Sequence, residues 1–113
     1  MKKLEDDAIL FLNKQETCIS EIKHNVKEIV NVVKILTNAR DHNKRIFTIG
    51  NGGSGSTASH LVSDLLKTVL IKNNKRFKAI SLVDNIPVIL AWSNDANYES
   101  IFVEQLKNHL SKE

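Results

Sequence analysis

The sequence predicts an α/β protein in which two helices precede the first part of a parallel β-sheet. Apolar residues recur at helical spacing through roughly the first 40 residues. Two short apolar segments follow, separated by a glycine-rich turn and a further helical pattern. This is the order of a right-handed strand–helix–strand unit, whose two strands are parallel. Such sheets need helices on both faces, and the flanking helical patterns provide them.

The two leading helices are predicted over Lys2–Ile22 and Val26–Arg40. Asn25 and Glu28 have the spacing of a capping box, with Asn25 as the N-cap of the second helix. The polar run of residues 41–43 ends that helix. The apolar residues at helical spacing are Leu4, Ala8, Phe11, Leu12, Ile19 and Ile22 in the first helix, and Val26, Ile29, Val30, Val33 and Leu36 in the second.

The strand–helix–strand unit begins with a strand over Arg45–Ile49 and continues with a helix over about Ser56–Leu70. A second strand is predicted over Phe77–Leu82. The side chains predicted to face the core from the intervening helix are Leu61, Leu65, Leu66 and Val69.

Two more helices complete the prediction. One starts at Asp84-Asn85 with Pro87 in its first turn, where proline is tolerated. Residues 94–97 are predicted to end it, and a last helix covers Glu99–Leu110. Two strands make a poor sheet, so we expect residues 43–113 to be the first part of a larger domain, preceded by a helical segment over residues 1–42.

Composition limits the class of protein. Of 113 residues, 42% are apolar and 26% are charged, as in ordinary soluble globular proteins. The net charge of +3 comes from scattered lysines, so nucleic acid is not expected as a partner. Cys18 is the only cysteine, which fits a reducing compartment. No apolar run has membrane-spanning length, and we expect a cytoplasmic protein without membrane contact.

The glycine- and serine-rich turn after the first strand is the strongest functional signal. Glycine lets the backbone adopt positive φ and approach a ligand closely, and the helix start that follows offers unpaired N–H groups. These features favour an anion site, most often for phosphate. Gly50, Gly52 and Gly55 also have the dinucleotide-fingerprint spacing, but Asp84 lies later than the roughly 20 residues that this fingerprint requires. A dinucleotide half-domain therefore stays an alternative, and a plain tight turn is a second one.

Two polar pairs are further candidates. His60 and Asp64 are four residues apart on one predicted helix, so they share a face and could bind a metal, form an acid–base pair or simply form a surface hydrogen bond. Asn94 and Asp95 are predicted to follow a helix beyond the carboxyl end of the second strand, where ligands bind in open α/β sheets. An ordinary helix-stop turn explains that pair equally.

Taken together, these segments resemble the sugar isomerase (SIS) domain and, within it, the phosphoheptose isomerase family. The resemblance covers almost the whole chain but little more than half of a family domain. It rests on Gly50-Asn51-Gly52-Gly53-Ser54, on His60 and Asp64, and on the run Asn94–Phe102.

The resemblance implies roles for these residues. Asn51, Gly52 and Gly53 would contact the substrate, and Ser54 would help hold it or its phosphate. His60 and Asp64 would be ligands of the zinc ion found in some members. Asp64 also occupies the position of the catalytic acid/base, which is usually Glu. Asn94 and Asp95 would contact the sugar.

The resemblance also implies a flavodoxin-like sheet and conversion of sedoheptulose 7-phosphate to D-glycero-D-manno-heptose 7-phosphate, a step towards lipopolysaccharide or capsule heptose. The segment 1–42 would build a homotetramer, and no nucleotide is expected. Asp64 is one methylene shorter than Glu. The second serine-rich phosphate loop and the late helix with His and Gln are missing from this sequence. We therefore expect this chain to be inactive alone, with a non-catalytic phosphosugar-binding module that acts through protein contacts as the alternative.

Overall fold

The computed structural model describes residues 2–110. Its helices and strands are α1 (Lys2–Ile22), α2 (Val26–Asp41), β1 (Arg45–Thr48), α3 (Gly53–Ser63), β2 (Lys78–Ser81), α4 (Ile86–Asp95) and α5 (Ser100–Lys107). The predicted α/β class and order of elements are confirmed. The chain divides into two compact units, Met1–Thr37 and Asn38–Glu113. Among the described helices, none combines the length and apolar character needed to cross a bilayer.

The first unit is made of α1 and most of α2. A tightened 3₁₀ turn, Lys23–Asn25, joins the two helices, and the residues on either side of it, Ile22 and Val26, both have φ −58° and ψ −30°. An N-cap residue normally leaves helical geometry. The chain instead stays helical through the position where Asn25 was predicted to cap a separate helix. No described side chain of α1 or α2 is buried. Leu36 and Ala39 are half-buried, and the large apolar side chains before them are exposed, from 44% for Val30 to 73% for Leu4.

The second unit is built on a parallel pair of strands. Ile46 lies opposite Ala79 and Phe47 opposite Ile80, and α3 forms the crossover between β1 and β2. The Leu82 N–H donates to the Thr48 carbonyl over 3.0 Å, just beyond the regular ladder. Because the strands are parallel and in register, their carboxyl ends meet at one edge of the sheet, immediately before the glycine loop and before Asp84.

The buried face of α3 differs from the predicted one. Ala58, Val62 and the following Leu65 are buried, whereas Leu61, Leu66 and Val69 are 43–46% exposed. The small Ala58 lets the helix approach β1 closely, and its carbonyl accepts a hydrogen bond from Thr48 Oγ1 over 2.9 Å. The prediction was wrong for those three aliphatic residues because spacing alone does not show which of two overlapping apolar stripes meets the sheet.

A polar side chain fixes α5 to the end of β2. Leu82 and Ile101 are almost completely buried, and the buried Gln105 lies beside them. The Gln105 amide Nε2 donates to the Leu82 carbonyl over 3.0 Å and to the Ile101 carbonyl over 2.7 Å. Because buried polar groups are costly unless they are paired, these bonds hold the chain that leads into Asp84 in one position.

Helix α4 begins as predicted but ends later. Asn85 Oδ1 accepts a hydrogen bond from the Val88 N–H over 3.4 Å, and Pro87 occupies the first turn. The helix continues through Asp95, and the Ala96 N–H still donates to the Trp92 carbonyl. The prediction that Asn94 and Asp95 follow this helix was therefore wrong, because both lie in its last turn.

Helix α2 ends in a Schellman motif centred on Asn43, which has φ +56°. The Asn43 N–H donates to the Arg40 carbonyl and the Lys44 N–H donates to the Ala39 carbonyl. Asparagine is one of the few residues that tolerate this left-handed geometry. The motif satisfies the last carbonyls of α2 and turns the chain into β1.

Replacing Asp41 by asparagine is expected to lower the free energy of unfolding slightly at neutral pH and not at all in acid. The hydrogen bond from Arg40 Nε, 2.9 Å from Asp41 Oδ1, lowers the pKa of this carboxyl below its usual 3.8. A lowered folded-state pKa adds stability above the unfolded-state pKa, and this stability is lost as pH falls through the folded-state value. Urea unfolding of both proteins at neutral pH and below that lower pKa measures the difference. A gap that persists in acid would contradict this charge effect.

Candidate functional site

The loop between β1 and α3 depends on three glycines for different reasons. A Cβ on Gly50 would lie 2.4 Å from the Ser54 carbonyl oxygen, and one on Gly55 would lie 3.0 Å from the Gly50 carbonyl oxygen. Gly52 has φ +54° and ψ −124°, which side chains strongly disfavour. Gly53 has open space around it and no positive φ. Gly50 and Gly55 are therefore required because the loop lies very close to the start of α3. Gly52 is required because its own backbone has a positive φ.

The start of α3 leaves backbone donors available. The N–H groups of Ser54, Gly55 and Ser56 donate to the Asn51 and Gly52 carbonyls over 3.1–3.4 Å. The N-cap, Gly52, supplies no side-chain cap, and within residues 2–110 the Asn51, Gly52 and Gly53 N–H groups have no acceptor in hydrogen-bond range. Free N–H groups at the positive end of a helix dipole favour an anion.

A cleft of about 590 Å³ opens beside this loop, at the carboxyl ends of both strands; we call it the glycine-loop cleft. Its lining residues are Gly50, Gly52, Gly55, Ser56, Ser59, His60, Ser63, Val83 and Asp84. Of the residues predicted to form the site, Gly52 and His60 line it. The cleft thus combines backbone, hydroxyl, imidazole and carboxylate groups, which suits a polar ligand rich in oxygen.

His60 and Asp64 lie close together at the side of this cleft. His60 Nε2 is 3.7 Å from Asp64 Oδ2, and both side chains are exposed, by 78% and 40%. Thr68 Oγ1 donates to the other carboxylate oxygen, Oδ1, over 2.9 Å. Asp64 opens a π-helical turn, Asp64–Thr68, and π turns are frequent at functional sites. His60 also lines a shallow depression next to the cleft, and Asp64 borders that depression only.

The other predicted site residues lie outside the lining of the cleft. Asn51 Oδ1 accepts a hydrogen bond from the Tyr98 hydroxyl over 2.6 Å, which ties the loop to the segment after α4. Ser54 lines a separate depression beside β1. Asn94 Nδ2 donates to Asp95 Oδ1 over 2.8 Å within the last turn of α4. Gly53 follows the N-cap of α3 and borders none of these depressions.

Sequence reasoning missed the serine face of α3. Ser56, Ser59 and Ser63 line the cleft, and their spacing of three and four residues places them on one side of the helix. Asp84 lines the cleft from the end of β2, although it had been considered only for the dinucleotide fingerprint. The serine spacing and the position of Asp84 directly after a strand were the available signals.

The donor set does not make a zinc site on its own. His60 and Asp64 supply two donors, whereas zinc takes four ligands or three with a water molecule. Within residues 2–110 no group of three His, Cys, Asp or Glu side chains is placed to hold a metal ion. A zinc ion would need donors beyond these residues, and no chemical step is assigned to it here.

Comparison with solved structures shows the fold of the chain. The phosphoheptose isomerase GmhA from Neisseria gonorrhoeae superposes with a TM-score of 0.53 at 19% sequence identity, covering 83% of this chain and 53% of that one. No protein-family model matches the chain. The structural likeness shows the fold, which is that of the SIS proteins.

Sequence comparison finds curated relatives, phosphoheptose isomerases among them. The phosphoheptose isomerase of Geotalea daltonii is 32% identical over 80 residues, which are 71% of this chain and 41% of that protein. The lincomycin biosynthesis protein LmbN of Streptomyces lincolnensis is 41% identical over 56 residues, or 50% of this chain and 20% of that protein. The chain is thus similar in sequence to phosphoheptose isomerases, which confirms the predicted resemblance. It spans at most about half the length of these relatives.

Proposed function

We propose that this chain binds a phosphorylated sugar in the glycine-loop cleft and supplies part of an aldose–ketose isomerase site, with sedoheptulose 7-phosphate or a similar sugar as substrate. The cleft itself carries the proposal: free N–H groups at a helix start lie beside hydroxyl, imidazole and carboxylate groups. The names of the relatives, phosphoheptose isomerases among them, support the choice of substrate class.

In this proposal the two chemical ends of the substrate meet different groups. The negatively charged ester lies against the N–H group of Gly52, where the α3 dipole is favourable. The sugar hydroxyls meet the serine face of α3 and the Asp84 carboxylate. The Asp84 carboxylate accepts hydrogen bonds from the hydroxyls and disfavours a second anion at that end, which fixes the direction in which the sugar lies.

Isomerisation of a ketose to an aldose moves one proton from C1 to C2 and a second from the C1 hydroxyl to the C2 oxygen, through an enediol. We assign the transfer between the carbons to Asp64 and His60, and the second proton passes between the two neighbouring oxygens. The Thr68 hydrogen bond occupies Asp64 Oδ1 and leaves Oδ2 on the side of His60, 3.7 Å from Nε2. His60 borders both the cleft and the depression that contains Asp64, so it is placed to carry a proton between the carboxylate and the bound sugar.

Several finer properties stay proposals that rest on the family resemblance. The exposed apolar side chains of α1 and α2 suit a segment that builds a tetramer. A zinc ion would take His60 and Asp64 as two of its ligands and complete its shell with other groups. A cytoplasmic location and a step in heptose synthesis would follow from the same substrate.

Replacing His60 by alanine is expected to weaken the binding of sedoheptulose 7-phosphate about tenfold, the effect of one lost hydrogen bond to a charged or strongly polar group. Isothermal titration calorimetry of the full chain measures the affinity. His24→Ala is the matched control, because His24 is exposed on the turn between α1 and α2 and should leave binding unchanged.

Turnover assays of the wild type and of Asp64→Asn separate the two parts of the proposal. Equal affinities for the wild type and His60→Ala would overturn the binding site. Binding without turnover in the wild type is the result expected of a chain that supplies only part of the site. Turnover in the wild type that Asp64→Asn leaves unchanged would overturn the assignment of the proton transfer to Asp64.

A further inference from the structure

A second cleft lies at the amino ends of the two strands, at the opposite end of the sheet from the glycine loop. It measures about 710 Å³ and belongs entirely to the second unit. We call it the amino-end cleft. The residues that line it are His42, Asn43, Lys44, Arg45, Phe47, Lys78, His109 and Leu110.

Two positive charges face each other at the mouth of this cleft. Arg45 and Lys78 are the first residues of β1 and β2 and are direct partners in the parallel register. Partners in register point to the same face of the sheet, and like charges in that position destabilise it. Both residues are exposed. An anion bound between them would lower this repulsion.

Within residues 2–110 no carboxylate lines the cleft. Asp41, which immediately precedes the cleft residues, is hydrogen-bonded to Arg40. The last carbonyls of α2 are also occupied, by the N–H groups of the Schellman motif. Among residues 2–110, the carboxylate nearest in sequence to the cleft lining therefore has a partner of its own, and Arg45 and Lys78 add two positive charges to the lining.

Hydrogen bonds and a ring contact hold several side chains of this cleft in place. Arg45 donates one guanidinium N–H to the His109 carbonyl over 2.6 Å, which fixes the fork and leaves other donors of its five for a ligand. The His109 ring lies against Phe47, with centroids 5.4 Å apart. His42 Nδ1 lies 2.9 Å from the Asn38 carbonyl oxygen, and this contact holds the ring in place beside the cleft.

From this arrangement we infer that the amino-end cleft is a second anion site, which binds a phosphate group separately from the glycine-loop cleft. A guanidinium fork and an ammonium group on neighbouring strands match the oxygens of one phosphate, and charge-assisted bonds of this type are strong. The ligand is a small phosphate-bearing molecule, either an inorganic phosphate or a phosphate monoester. The inference is independent of the proposed isomerase function.

Titration of the ¹⁵N-labelled full chain with inorganic pyrophosphate tests the site by NMR, because amide shifts report the two clefts separately. Residues 42–47, Lys78 and His109 should shift as one group, apart from residues 50–60. Lys78→Gln should weaken about tenfold the binding that shifts residues 42–47, and it should leave the binding that shifts residues 50–60 unchanged. Lys27→Gln, which makes the same charge change outside the cleft, should leave both unchanged.

Glycerol 3-phosphate and sodium sulfate, at matched ionic strength, complete the test. A stronger response to the ester than to pyrophosphate assigns the site to organic phosphates, and the reverse assigns it to inorganic ones. Either result supports the site if sulfate is weaker. Three results would overturn it: pyrophosphate shifts confined to residues 50–60, equal weakening by Lys78→Gln and Lys27→Gln, or a sulfate response as strong as that of pyrophosphate.

Discussion

Replacing Gly50 by alanine is expected to lower the free energy of unfolding by about 3 kcal/mol, near the upper end of the penalty for overpacking. The new Cβ would lie 2.4 Å from the Ser54 carbonyl oxygen and 2.7 Å from the Gly55 nitrogen. Both are backbone atoms, so relief requires the loop to move away from the start of α3. Urea unfolding of the full chain, followed by circular dichroism, measures the change.

Gly53→Ala is the matched control three residues away. Nothing lies within 4 Å of its new Cβ, and φ is not positive, so the change should be neutral or stabilise by about 0.5 kcal/mol through the unfolded state. Gly55→Ala, with 3.0 Å to the Gly50 carbonyl oxygen, should fall between the two. If Gly50→Ala and Gly53→Ala had the same stability, the close approach of loop and helix would be refuted.

The sequence predicted the position of the glycine loop, although α3 starts at Gly53, three residues before the predicted Ser56. Strand, loop and crossover helix could be placed because Gly50, Gly52 and Gly55 interrupt an apolar pattern. Their spacing is typical of a tight turn between a strand and a helix. The identical bounds of α1, Lys2–Ile22, have a similar origin in a long stretch of uniform helical period. Local patterns were sufficient where backbone conformation alone decided the structure.

Local sequence patterns gave wrong predictions where the structure depends on contacts with another part of the chain. The buried face of α3 uses Ala58, because its small size lets β1 come near, yet Leu61 has the larger hydrophobicity. In α4, the Asn94-Asp95 pair resembles a stop signal, but the helix continues through both residues and ends at Asp95. Neither outcome can be read from residue type, since each depends on contacts that form only in the folded chain.

The candidate site shows the same division. Gly52 and His60 were predicted because they belong to the glycine-rich turn and to the His–Asp pair, and both line the cleft. Asp84 and the serine face of α3 were overlooked because their meaning arises from the register of the two strands, which brings β2 beside the loop. The Tyr98–Asn51 hydrogen bond joins residues far apart in sequence, so no spacing argument could have predicted it.

Replacing Gln105 by methionine is expected to destabilise the chain by about 2 kcal/mol and to weaken sugar-phosphate binding as well. Methionine keeps the approximate volume but removes both bonds of Nε2, which leaves the Leu82 carbonyl buried without its donor. Leu82 directly follows β2 in the segment that leads into Asp84, so the loss loosens one wall of the glycine-loop cleft. Urea unfolding measures the stability, and calorimetry with sedoheptulose 7-phosphate measures the affinity.

Gln15→Met makes the same chemical change on the exposed surface of α1 and should alter neither quantity. Asp84→Asn tests whether Asp84 contributes to binding. It should weaken binding while leaving the Gln105 bonds and most of the stability in place. A Gln105→Met protein that is destabilised but binds with wild-type affinity would show that the cleft does not depend on the junction of α5 and β2. Unchanged stability would show that the Leu82 carbonyl finds another donor, which would remove the structural reason for a polar side chain in this core.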